Sequence, residues 1–420
     1  MTKTGLILLV CVAFFFIVST TLTNADVSTP TDPVFSAERR LHFPIVDTGQ
    51  VHCYNNSRKI SCPEPGKPFY GQDAQYLKHV PSYIDNGDGT IRDCVTGMIW
   101  QKAYEVMTYE EAIEKVKTYN LAKHSDWRIP TIKELYSLIL FIGVDVSSKE
   151  MSRLPVGSVP FLDTDFFDFR YGSNGPRIID VQTPSSTLYQ GTTMGGQRTV
   201  FGVNFADGRI KGYPIMDPRS RSGKKFTVRF VRGNIEYGKN NFKDSENGTI
   251  NDLSTGLMWQ QSDSRKAMSW KDALAWAQQK NNENYLGYSD WRLPNAKELQ
   301  SIVDYSRSPQ KTNSAAISPL FEVSQIKDEG GKTNYPFYWS STTHKHIYGG
   351  GEAVYVCFGE ALGFFKPPFS SGLPRLQDVH GAGAQRSDPK TGNPDDFPQG
   401  RGPQGDVIRI YHYVRLVRGI

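Results

Sequence analysis

The chain repeats itself. Residues 89–101 (GTIRDCVTGMIWQ) match residues 248–260 (GTINDLSTGLMWQ) at eight of 13 positions. Residues 125–135 (SDWRIPTIKEL) match residues 289–299 (SDWRLPNAKEL) at eight of 11. Both copies also close alike, Val228-Arg-Phe-Val-Arg-Gly233 against Val414-Arg-Leu-Val-Arg-Gly419. Solenoid repeats run to ~20–50 residues, and this spacing is far longer. It predicts two copies of one globular domain, residues 81–233 and 234–420, with a boundary in the polar stretch near Gly233–Asn240. The aromatic content, 23 Phe, 21 Tyr and 7 Trp, supplies enough buriable surface to exclude a disordered chain. The 38 Gly and 25 Pro favour short strands and many turns over long helices.

Each copy reads the same way locally. Asp85-Asn-Gly-Asp-Gly89 is a tight turn signal, and a strand is predicted to begin at Ile91. Thr96-Gly97 marks a second turn before a short buried strand that contains Trp100; Trp259 is its counterpart. Thr108-Tyr-Glu-Glu111 has the form of a capping box. The helix that follows turns Ala112, Val116 and Tyr119 to one face. Ser269 opens the equivalent helix, with Ala273, Trp276 and Ala277 inward. A second helix is predicted over Ile132–Ile142 and over Ala296–Tyr305. Trp339-Ser-Ser-Thr-Thr343 is set against Tyr189-Gln-Gly-Thr-Thr193. Two helices and many short strands per copy make the fold class α+β.

The N-terminus predicts export. Lys3 gives a positive start, Leu6 to Val18 an apolar core, and Thr23-Asn24-Ala25 a small-residue cleavage site, so residues 1–25 read as a signal peptide. No other stretch is long and apolar enough to span a bilayer. The expected location is the periplasm or the outside of a bacterial cell. Export permits disulfides. In the N-terminal segment, residues 26–80, Cys53 and Cys62 flank a turn-forming stretch and are expected to pair. Cys94 and Cys357 either pair across the copies or remain buried thiols, the latter being preferred.

The set NGDGT-x-x-D-x-x-TG, WQ, SDWR-x-P-x-x-KEL, YWSSTT and VR-x-VRG resembles the bacterial DUF1566 domain, also called the Lcl C-terminal domain, over residues 81–233 and 244–420. The resemblance implies a fold similar to C-type lectins and to sulfatase-modifying (formylglycine-generating) enzymes. It implies two tandem domains of short twisted antiparallel strands with two helices each, and surface exposure. In the collagen-like adhesin that carries this domain it implies binding of sulfated polysaccharide.

Several residues are candidates for function. The Asp85–Asp93 stretch fits a hairpin better than a calcium loop, because Ile84 and Val95 would fall on key ligand positions. Asp126-Trp127-Arg128 and Asp290-Trp291-Arg292 read as structural: the Trp fills the core and the adjacent Asp and Arg pair to fix the loop. His344 and His346 share one side of a strand without evident Cys, Asp or Glu partners, so no metal site is expected. The second copy carries an insertion, residues 366–406, before its last strand. Long loops on rigid scaffolds often bind ligands. Arg386, Asp388, Asn393, Asp395, Asp396 and Arg401 are its candidate ligand residues. No cofactor is expected, with calcium in the 388–396 stretch as the open alternative. In copy one, Arg219, Arg221, Lys224 and Lys225 form a basic patch suited to a polyanion.

The net charge of +5 excludes a dedicated polycationic nucleic-acid binder. No Ser/His/Asp arrangement or redox cysteine pair supports catalysis. The chain is therefore expected to be an exported non-enzymatic binding protein for polysaccharide or another extracellular ligand. The alternative is a structural or assembly module with a cell-envelope protein partner.

Overall fold

The predicted turn at Asp85–Gly89 is built by its own carboxylates. Asp85 Oδ1 accepts from the Gly87 N–H (2.9 Å), and Asp88 Oδ1 accepts from the Thr90 N–H (3.1 Å). These bonds close the hairpin between Tyr83–Asp85 and Thr90–Asp93. The computed structural model describes residues 41–147, 153–217, 220, 222–367 and 370–420. The expected signal peptide lies outside them. Within copy one, Ile99–Gln101 adds to the hairpin, and Val231–Arg232 of the closing motif completes a four-stranded sheet. Copy two repeats it with Phe242–Asp244, Thr249–Asp252, Leu257–Gln260 and Val417–Gly419.

Helices α1 (Tyr109–Val116), α2 (Ile132–Ser137), α3 (Trp270–Asn282) and α4 (Ala296–Ser301) start where the sequence places caps. Thr108 and Glu111 form the expected capping box, and Ser269 caps α3. Helices α2 and α4 end earlier than predicted, at Ser137 and Ser301. The amides that would extend them are bonded elsewhere. Leu140 N–H donates to Phe161 O, Phe141 N–H to Thr48 O, and Asp304 N–H to Ala316 O.

The centre is a six-stranded antiparallel sheet made from both copies. Its strands are β1 (Gln182–Leu188), β2 (Thr199–Asn204), β3 (Arg209–Pro214), β4 (Phe337–His346), β5 (Gly349–Cys357) and β6 (Gln385–Pro389). Their order across the sheet is β4-β5-β6-β3-β2-β1, so each copy gives one half. The halves join where Gln385 pairs with Ile210. Helices α2 and α4 lie on the sheet and touch each other. One core cluster takes Trp100, Leu135 and Phe201 from copy one and Trp259, Leu299 and Tyr338 from copy two. Residues 41–420 accordingly form one compact unit.

Two sequence expectations are corrected here. The counterpart of Trp339–Thr342 is Pro184–Thr187, not Tyr189–Thr193. Ser340 and Ser185 bond equivalent carbonyls (Val354 O and Phe201 O), and Thr342 and Thr187 accept from the first amides of α4 and α2. The insertion is not simply a surface loop either. Its first part supplies Arg375–Asp378, which pairs with Leu362–Phe365 just before it in a hairpin, and its next part is β6, an inner strand of the sheet. Lys390, just beyond β6, is fully buried. Its Nζ donates to Thr343 Oγ1 (2.7 Å) and stands 3.9 Å over the Trp270 ring. Burial alone pushes its pKa well down.

The N-terminal segment packs on copy two. Cys53 and Cys62 are bridged as expected. Cys94 and Cys357 are both free. Cys357 is buried, but Cys94 is exposed, because the turn after Asp93 points it outward rather than into the core.

Candidate functional site

The shared motifs bind to one another. Trp127 and Trp291 are buried, and their indole N–H groups donate to Leu121 O (3.2 Å) and Tyr285 O (2.8 Å). The neighbouring Asp and Arg do not pair with each other. Arg128 grips Glu134 through both terminal nitrogens (2.6 and 2.7 Å), and Arg292 grips Glu298 likewise (2.6 Å each). Asp126 instead accepts from Arg232 Nε and Asp290 from Arg418 Nε, both at 2.6 Å. The Arg232 guanidinium holds the Asp126 carboxyl below the usual range. The other arginine of each closing motif, Arg229 or Arg415, is buried against main-chain carbonyls such as Asp168 O and Glu322 O (2.8 and 2.7 Å). The DWR, KEL and VR-x-VRG motifs thus form one clamp per copy, in which the Asp, Arg and Glu side chains are paired within the protein.

The expected ligand residues of the insertion are dispersed. Arg386 and Asp388 lie on β6. Arg386 pairs with Asp406. Asp388 is fully buried, and its Oδ2 accepts from the Arg409 and Ile410 amides (2.9 and 3.2 Å). Arg401 pairs with Glu352 at 2.6 Å. Asn393 caps the turn Pro394–Asp396, leaving Asp395 and Asp396 exposed. Asp388 and the two exposed aspartates are not gathered around one point. Among the described residues, no three His, Cys, Asp or Glu side chains are placed to share a metal ion. His344 is buried between the Phe141 and Phe161 rings, 3.7 Å from Asp145, whereas His346 bonds Ser147 O.

The basic patch of copy one is smaller than its sequence suggests. Lys224 lies over the Tyr213 ring (4.8 Å), where burial lowers its pKa to about 8. Lys225 pairs with Glu111 at 2.9 Å. Arg219 and Arg221 lie outside the described residues.

Among the described residues, two concavities of about 660 Å³ each bear on these sites. One is a cleft under the insertion, walled by Phe364, Phe397, Arg409, Tyr411 and Tyr413, with Asp395 and Lys327 at its edge. Tyr411 is 46 % exposed, and Arg409 is fixed by Glu329 (2.7 Å) and by the face of Phe337 (3.8 Å). Of the residues singled out from sequence, only Asp395 lines this cleft. Arg409, Tyr411 and Tyr413 were missed, although the Tyr-His-Tyr run beside the closing motif marks where the insertion returns to the fold. The other concavity lies between α2, the inter-copy linker and residues 302–305.

The model of the Lcl C-terminal domain matches residues 89–232 and 248–371. The chain belongs to the Lcl C-terminal domain family. The two matched regions correspond to the two halves of the central sheet, and the second stops before β6. Much of the aromatic cleft therefore lies beyond the part that the Lcl C-terminal domain model covers. No curated protein and no solved structure matches the chain. Among the described residues, no helix is long and apolar enough to cross a membrane.

Proposed function

We propose that the protein is an exported, non-enzymatic binding protein that holds a saccharide chain in the cleft under its insertion, with no nucleic-acid partner and no cofactor. The observation that carries this reading is the exposed Tyr411 beside Phe364 and Phe397 in a cleft with a fixed guanidinium. Sugar rings pack their C–H faces on aromatic rings, and Lys327 and Asp395 offer hydrogen bonds at the edge. Arg409 is locked by Glu329 and Phe337, so little side-chain freedom is lost on binding. Membership of the Lcl C-terminal domain family supports an extracellular type of domain. The Cys53–Cys62 bridge supports an oxidising compartment, periplasmic or extracellular. The small antiparallel sheets and short helices support kinship with the C-type-lectin and sulfatase-modifying folds.

A glycan array followed by titration of the best ligand tests the proposal. The Tyr411→Ala variant is expected to bind at least tenfold more weakly while unfolding at the same temperature. Unchanged glycan affinity in that variant, or no glycan retained by the wild type, sinks it.

A further inference from the structure

The second concavity has a twin inside the same molecule, and the twin is filled. Lys297, Thr342 and Phe141 of the filled groove correspond to Lys133, Thr187 and Tyr305 of the open one. The matches follow from the bonds that α2 and α4 share. Thr187 and Thr342 accept from Ile132 and Ala296, and the Leu140 and Asp304 amides are bonded alike.

The chain's own N-terminal segment occupies the filled groove. Lys297 Nζ donates to Asp47 O (2.9 Å), and the Phe141 N–H donates to Thr48 O (2.7 Å). The Gln50 side chain pairs with the main chain of Thr343 (2.8 and 2.9 Å). Thr342 Oγ1 donates to the carboxylate of Asp73 (2.5 Å), and the Tyr76 ring stacks on Arg292. All three anchors, Lys297, Thr342 and Phe141, are buried by this cover.

The open groove keeps the same anchors without the cover. Lys133 and Thr187 are only partly buried. Thr187 Oγ1 accepts from Ile132 N–H but has no acceptor for its own proton among the described residues. The Tyr305 N–H has none either, although its counterpart Phe141 binds a carbonyl. The linker supplies one substitute, Asn240 Oδ1 on Lys133 Nζ (2.7 Å). It also leaves Ile235 at the groove edge 65 % exposed. The cause of the asymmetry is length: a long segment precedes copy one, whereas a short linker precedes copy two.

We propose that this groove binds an extended segment of a partner protein that carries one carboxyl side chain, in the manner in which the twin groove binds residues 47–50 and Asp73. Main-chain carbonyls of the segment sit on Lys133 and the Tyr305 N–H, its carboxylate sits on Thr187, and an apolar side chain covers Ile235. Peptides in extended form are held this way when main-chain groups give affinity and a few pockets give selection. The site is separate from the saccharide cleft and does not depend on it.

The probe is an oxidised synthetic peptide of residues 42–80, labelled and titrated into the full chain by fluorescence polarisation. Saturable one-to-one binding is expected. Lys133→Met and Thr187→Val should each weaken it at least tenfold, with the melting temperature checked for each. Tyr411→Ala should leave it unchanged, which separates this site from the cleft. Absence of saturable binding to the wild type overturns the proposal, and so does binding that ignores both groove variants. A wild-type dimer that Lys133→Met dissolves also overturns it, because the occupant is then a second copy. Displacement of the labelled peptide by an oligosaccharide but not by the unlabelled peptide does the same.

Discussion

The buried carboxylate of Asp73 shows how single residues tie the N-terminal segment to the repeats. Its Oδ2 accepts from Thr48 Oγ1 (2.7 Å) and Thr342 Oγ1 (2.5 Å), while its Oδ1 has no partner. Burial raises its pKa to about 7, against the downward pull of those two hydroxyls. A carboxyl raised in this way favours the folded state fully below its unfolded pKa near ~4. That contribution is lost as the pH climbs through about 7. The size is on the order of 4 kcal/mol. Lys297 works in another window. Its pKa is pushed down to about 7 by burial, so the cost of charging it is relieved only between there and its ordinary value of 10.5. Asp378, also raised to about 7, follows the sign of Asp73. A difference measurement isolates one residue. Asp73→Asn, which imitates the neutral acid, should be the more stable protein at pH 7.5 and show no advantage at pH 4. Urea unfolding of both proteins across that range checks it, and a constant difference at all pH values contradicts the assignment.

At the scale of elements, the turns, caps and first helices were legible because each depends on neighbours in sequence. Asp85 acts on Gly87, and Thr108 acts on Glu111. The partners of the DWR motif were not legible in the same way. Arg128 meets Glu134 six residues on, but Asp126 meets Arg232 at a separation of 106, which no local pattern encodes. Strand β6 was hidden for a different reason. Its sequence, Gln385-Arg-Ser-Asp-Pro389, reads as a polar loop, since inner strands usually present apolar side chains. Here the polar groups are paired: Arg386 with Asp406, Ser387 with Glu352, and Asp388 with two amides. The open cleft was equally invisible, since Tyr411 and Phe364 come to line one cleft only after β6 has entered the sheet. The hairpin and β6 should therefore tolerate deletion very differently. Ala361 O and Val379 N are already bonded (2.9 Å), so replacing residues 362–378 by two glycines spans a closed base. That variant should fold, with a lower melting temperature from lost burial of Leu362 and Phe365. Removing residues 385–389 should leave no protease-resistant protein, because it cuts the sheet between its halves. Equal trypsin sensitivity of the two deletions contradicts this division.

At the scale of the molecule, a repeat readable as two domains is folded as one body. The sheet runs from β4 to β1 through the single β6–β3 seam, and α2 touches α4 across it. The segments that precede the copies also cross over. The segment before copy one covers α4 through the Asp47–Lys297 bond, whereas the linker before copy two reaches α2 through the one bond from Lys133 to Asn240 and leaves its groove open. Phe43 and Tyr237, one from each segment, meet edge to face at 4.5 Å in the core. A separated half would expose an unpaired inner strand, β3 or β6, and the apolar face of its helix. Exposed edges and apolar faces of that kind lead to aggregation rather than to a stable monomer. Full-length protein should accordingly unfold in one transition, with calorimetric and van't Hoff enthalpies in agreement. Residues 41–240 and 241–420, expressed singly, should each be insoluble or lack near-ultraviolet dichroism. Co-expressed from one plasmid, they should associate into a soluble one-to-one complex, because the interface is the interior of the fold. Two resolved calorimetric transitions in the intact chain, or a soluble and cooperatively folded single half, would show instead that each copy holds a self-sufficient core.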